Sequence, residues 1–119
     1  MRTVFGIDVS KASSEVAILV NGERVHSYTM PNDIIGFSHL LKDLKTVSNP
    51  EIIFEATGVY SRRLQAFLEE NSYDYTRLNP LEAKKQLDSL RVRKTDKIDA
   101  EKLASSQFVL NRKPTYVQE

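Results

Sequence analysis

Four acidic residues carry the chemistry this sequence can do: Asp8, Glu55, Asp96 and Asp99. Asp8 sits inside the apolar run Val4-Phe5-Gly6-Ile7-Asp8-Val9, and Glu55 closes Ile52-Ile53-Phe54-Glu55. Asp96 and Asp99 lie three apart in Arg93-Lys94-Thr95-Asp96-Lys97-Ile98-Asp99-Ala100. A carboxylate on a buried strand is costly unless it is paired or binds a metal. Several such groups brought together repel one another and raise each other's pKa, and a divalent cation removes the conflict. Mg²⁺ prefers oxygen ligands and keeps positions for water and phosphate. Two such ions about 3.5–4 Å apart stabilise both the attacking and the leaving oxygen of a phosphodiester displacement.

Each acid also has a plainer use. Asp8 can end its strand by accepting from the Ser10 or Lys11 amide, and Glu55 can cap the turn at Thr57-Gly58. Asp96 and Asp99 suit the first turn of a helix, where the macrodipole favours negative charge. That pair alone reads as capping. The four together read as a site only if the fold brings them to one place.

The elements that must do so follow from the pattern of the chain. Residues 3 to 9 read as a buried strand. Residues 14 to 20 alternate, with Val16, Ile18 and Val20 on one side and Ala17 and Leu19 on the other. Asn21-Gly22 supplies the positive φ angles of a type I′ hairpin turn, and residues 23 to 30 return as a third strand. Pro31-Asn32-Asp33 breaks the strand and offers a helix cap. Ile34, Phe37, Leu40, Leu41 and Leu44 then keep helical spacing. Asn49-Pro50 ends that region, and residues 51 to 55 form a fourth strand. A second helix carries Tyr60, Leu64, Phe67 and Leu68 on its apolar face. Residues 73 to 78 read as a fifth strand, rich in β-formers. Asn79-Pro80 opens a third helix over roughly 81 to 91, and Thr95 caps a fourth running to about 107.

The order β-β-β-α-β-α-β-α-α predicts an antiparallel meander followed by right-handed crossovers. The result is a mixed five-stranded sheet with helices on its faces, the order of the ribonuclease H-like α/β fold. The first and fourth strands are then parallel neighbours at the sheet centre, with Asp8 and Glu55 toward their carboxyl ends. Ligands of open sheets collect there. Asp96 and Asp99 share one helical face by their spacing, and a helix laid across that end adds both to the first two.

At 119 residues the chain is one domain with room for a core, and 40% hydrophobic with 28% charged residues is ordinary for a globular protein. There is no cysteine, which excludes disulfides, thiolate zinc sites and cysteine nucleophiles and fits a reducing cytoplasm. No apolar run approaches the ~20 residues of a membrane helix. Net charge is only +1, yet residues 84 to 113 hold nine Lys/Arg against four Asp/Glu. That local excess suggests a polyanionic partner. Lys84, Lys85, Arg91, Arg93, Lys94 and Lys97 lack interleaved aromatics, which favours contact with a nucleic-acid backbone over base stacking. His26 and His39 lack metal-ligand spacing and read as surface or structural residues. Ser10, Ser13 and Ser14 have no nearby histidine base, which argues against a hydrolase triad.

Gly6-Ile7-Asp8-Val9-Ser10-Lys11, Glu55-Ala56-Thr57-Gly58-Val59-Tyr60, Asn79-Pro80 and Lys94-Thr95-Asp96-Lys97-Ile98-Asp99-Ala100, with Leu103-Ala104 following, resemble the DEDD transposases. These are insertion-sequence recombinases whose N-terminal domain is similar to RuvC Holliday-junction resolvases. The resemblance spans essentially the whole chain, with its motifs in the family's order. It implies an acidic tetrad of Asp8, Glu55, Asp96 and Asp99 that binds Mg²⁺, with Mn²⁺ as a substitute. It implies DNA cut and rejoined during transposition, a structured guide RNA, and a homo-oligomer. It also implies a nucleophilic serine in a separate C-terminal domain. That domain is missing from residues 1 to 119, so the expectation is the metal-binding half of a composite active site, with little or no recombinase activity by itself.

Three rivals stand beside that reading. A stand-alone junction resolvase predicts cleavage of four-way junctions without a partner domain. A nucleotide-binding phosphotransferase of the actin and sugar-kinase type shares the Gly-Ile-Asp-Val-Ser pattern but needs two such domains. A non-catalytic nucleic-acid-binding or assembly module predicts that Asp8→Asn and Asp99→Asn leave function unchanged.

Overall fold

The computed structural model describes residues 1–56, 58–79 and 99–117. The first strand, β1 (Thr3–Val9), is buried along nearly its whole length, because both of its faces are covered. β2 (Ser13–Val20) and β3 (Glu23–Pro31) complete the meander. Their connection is the expected tight turn, with Asn21 at φ 51° and Gly22 at φ 90°. β3 runs one residue further than the sequence suggests. Pro31 closes the ladder opposite Ser13 on an edge strand, where its missing N–H costs little.

Asp33 caps α1 (Ile34–Lys45), its carboxylate accepting from the Gly36 amide at 3.0 Å. β4 (Glu51–Glu55) then enters parallel to β1, and α2 (Tyr60–Glu70) leads to β5 (Thr76–Leu78), parallel to β4. The strand order is β3-β2-β1-β4-β5, so the predicted mixed five-stranded sheet is observed. β5 is shorter than residues 73 to 78. The end of α2 claims the preceding amides: Ser72 N–H donates to the Glu69 carbonyl and Tyr73 N–H to that of Leu68. This is the wrap-back of a helix C-terminus, with Ser72 at φ 64°. Tyr75 instead bridges to Tyr116 from the C-terminal segment.

The last helix is α3 (Ala100–Leu110). The sequence pattern predicts this helix capped by Thr95 and ending near 107, with Asp99 inside it. Asp99 is the cap itself. Its backbone is extended (φ −108°, ψ 178°), and its carboxylate accepts from the Lys102 amide at 2.8 Å. Aspartate is among the best residues for that position because its oxygen satisfies an orphan helix amide. Asp99 therefore precedes the helix, and the shared helical face proposed for Asp96 and Asp99 does not apply to it. Thr95 and the helix expected over 81 to 91 lie outside the described residues.

Two cores sandwich the sheet. Phe5, Ile7, Val9, Val16, Ile18, Ile52 and Phe54 pack with Leu40 and Leu44 of α1 and Leu64 and Leu68 of α2. On the other face, Val4, Ala17, Leu19, Ile53 and Leu78 pack with Ala100, Leu103 and Ala104 of α3. The strict alternation along β1, β2 and β4 sorts every side chain to one face or the other. Gly6 belongs to the α3 face, and a Cβ there would lie 2.1 Å from the Ala100 carbonyl oxygen. Glycine thus lets the start of α3 rest directly on β1. Among the described residues, no helix is long and apolar enough to cross a membrane.

Candidate active site

The period of two places Val4, Gly6 and Asp8 on the α3 face of β1, and Ile53 and Glu55 on the same face of β4. Gly6 is in register with Ile53 and Ile7 with Phe54, so Asp8 and Glu55 occupy the next step of the parallel pair. Both are half-buried. Burial, and then the neighbouring Asp8 carboxylate, push the Glu55 carboxyl above the usual carboxylate range. Two carboxylates thus meet at the carboxyl ends of the central parallel strands, 47 positions apart in sequence.

Asp99 arrives at the same end because α3 begins over Gly6, two residues before Asp8. Its side chain is engaged with the helix amide. Asp99 also lines a cleft of about 400 Å³ with Glu15, Arg24, Ser27 and Thr29. Asp96 lies outside the described residues, as do Lys84, Lys85, Arg91, Arg93, Lys94 and Lys97. Among the described residues, no three acidic or histidine side chains form a group able to hold a metal ion.

Sequence reasoning passed over Glu15. It stands directly opposite Asp8 in the β1–β2 ladder and on the same face. The short link between the strands determines that pairing, so the signal was present in the spacing of the two apolar runs. The histidines are exposed residues whose rings flank that of Tyr28, at 4.6 Å for His39 and 5.3 Å for His26, in keeping with a surface or structural placement. A second cavity, of about 340 Å³, opens at the far end of β4, beside Glu51 and Arg112, and contains none of the predicted site residues.

The donor set suits a hard divalent cation. Asp8 and Glu55 offer only oxygen, and their mutual repulsion in a half-buried position is the conflict such an ion relieves.

Comparison with known proteins bears on the family and the fold. A family profile described as a transposase, of the DEDD IS110 type, matches residues 5–119. Thermus thermophilus RuvC has a similar fold, with TM-score 0.64 at 14% identity, covering 94% of this chain and 99% of that one. T. thermophilus RuvC in complex with a Holliday-junction substrate gives TM-score 0.63 at 11% identity, covering 93% and 96%. No curated protein matches in sequence.

Proposed function

The chain belongs to the DEDD transposase family and has its ribonuclease H-like, RuvC-type fold, and on that premise we propose that it supplies the metal-binding half of a DNA-recombining active site. The observation that carries this reading is the Asp8–Glu55 pair at the carboxyl ends of β1 and β4. Asp8 and Glu55 would hold the cation, with Asp99 and Asp96 completing its shell. Mg²⁺, or Mn²⁺ in its place, supplies charge stabilisation for a phosphodiester displacement when bound. The chain's own part is to fix two carboxylates on rigid neighbouring strands, so that no ordering cost falls on the reaction.

Asp99 has a double duty in this reading. One oxygen holds the start of α3 by accepting from the Lys102 amide, and the other would be left for the cation. The basic residues Lys84, Lys85, Arg91, Arg93, Lys94 and Lys97 would track the DNA backbone. The nucleophilic serine, a structured guide RNA, a homo-oligomer and a cytoplasmic location belong to the same reading, and family membership is what supports them.

Titration of the chain with Mn²⁺, followed by electron paramagnetic resonance, tests the core of it. Asp8→Asn is expected to weaken Mn²⁺ binding by at least about tenfold, the lower end of losses seen even for outer-shell changes at metal sites. Equal Mn²⁺ binding by wild type and Asp8→Asn would refute the assignment.

A further inference from the structure

Ser10, Lys11 and Ala12 link β1 to β2 immediately after the strand that carries Asp8. All three are exposed. The link is held from inside by one residue, Asn32, which is only 9% exposed. The Asn32 side-chain amide donates to the Ser10 carbonyl at 2.6 Å, and its backbone N–H donates to the Ala12 carbonyl at 3.0 Å. The Asn32 side-chain oxygen accepts from the buried Ser14 hydroxyl at 2.6 Å. Ser10 N–H donates in turn to the Ser13 carbonyl at 3.0 Å.

These bonds have an electrostatic consequence. The carbonyls of Ser10, Ala12 and Ser13 are all spent inside the protein. The turn therefore shows solvent the Ser10 hydroxyl and the Lys11 ammonium, with three carbonyls of the link turned inward. Lys11 forms no ion pair among the described residues. An exposed ammonium outside any ion pair is free to neutralise a phosphate. Three residues of chain span at most about 11 Å, so Lys11 stands close to Asp8. At about 3.4 Å of helix axis per nucleotide, that reach corresponds to roughly three nucleotide steps.

We propose that Lys11 contacts a backbone phosphate of the nucleic-acid strand bound at Asp8 and Glu55, and that Asn32 is the positioning residue that aims it. The inference rests on the function proposed above and adds a phosphate contact outside the basic segment of residues 84 to 97. Asn32 acts by immobilising the turn, so its effect on binding passes through Lys11.

Fluorescence anisotropy of the chain with a labelled DNA duplex, across a series of salt concentrations, tests it. Lys11→Gln should lower the slope of log affinity against log salt by about 0.9, the value of one lost phosphate contact. Lys11→Arg should keep the slope. Lys45→Gln, an exposed change at the end of α1 where the chain turns toward the start of β4, should leave it unaltered. Asn32→Ala should weaken binding in the wild-type background but add less than about twofold to Lys11→Gln, since neighbours acting as a unit are non-additive. An unchanged slope for Lys11→Gln, or a shift equal to that of Lys45→Gln, overturns the proposal, and the Lys11 arm requires no change to a buried residue. Equal losses from Asn32→Ala in both backgrounds overturn its positioning role. A wild-type chain that binds no DNA overturns the nucleic-acid reading together with this inference, whereas DNA binding with an indifferent Lys11 overturns only the latter.

Discussion

Gly6→Ala is the sharpest perturbation the fold offers, because one methyl group tests how α3 is seated. The added carbon would lie 2.1 Å from the Ala100 carbonyl oxygen and 2.9 Å from both the Cβ and the amide nitrogen of Ala104. Two of these atoms are backbone, so no rotamer change relieves the clash. The start of α3 must lift by roughly 1 Å or more from β1. Overpacking of this kind costs about 1–3 kcal/mol. Against it, removing a glycine stiffens the unfolded chain and returns about 0.4–1 kcal/mol. A contact of 2.1 Å against backbone sits at the upper end of that cost, so the clash wins and the expected net loss is about 2 kcal/mol. For a domain of this size that is a fall in melting temperature of roughly 8–10 °C. Urea unfolding followed by circular dichroism measures the free energy directly. Because the lifted helix carries Asp99 while Asp8 stays on the sheet, Mn²⁺ affinity should fall as well. A Gly6→Ala protein within about 0.5 kcal/mol of wild type, the range of ordinary surface substitutions, would refute the close approach of α3 and the route by which Asp99 reaches the site.

Two further outcomes follow from the acids. The Glu55 carboxyl is raised by burial and by Asp8, so it favours the folded state while protonated. Its stabilising contribution is complete below the unfolded carboxyl pKa and disappears as pH rises through the folded value. Without divalent cations, wild type should therefore lose stability over that rise while Glu55→Gln stays flatter, and a steeper decline in Glu55→Gln would contradict the pairing with Asp8. Asp99→Asn keeps a good helix cap, and Asp99→Ala removes it at a cost of about 1 kcal/mol. If Asp99 also serves the metal, Asn should preserve thermal stability yet weaken Mn²⁺ binding, and full Mn²⁺ affinity in Asp99→Asn would leave that residue with capping alone.

Much of the architecture was legible before any coordinates. Asn21-Gly22 announced its hairpin because few residues accept two consecutive positive φ angles. The apolar runs around Phe5 and Phe54 announced central strands because both of their faces are buried. Boundaries were less legible where side chains compete for backbone groups. Asp99 took the cap expected of Thr95, and the last turn of α2 took the amides expected of β5.

The candidate site divides in the same way. Asp8 and Glu55 were conspicuous in the sequence because a lone acid in an apolar strand carries a cost that needs a reason. The strand order put them at one end of the sheet, but their exact pairing was not legible. It depends on the parallel register of β1 and β4, and a slip of one position would send one of them to the opposite face. The same holds for Glu15 opposite Asp8 and for the grip of Asn32 on the turn beside them. Residue types determined what chemistry this protein can attempt. Strand register and the seat of α3 on Gly6 decided which of those residues meet, because such contacts join positions that only the folded sheet brings together.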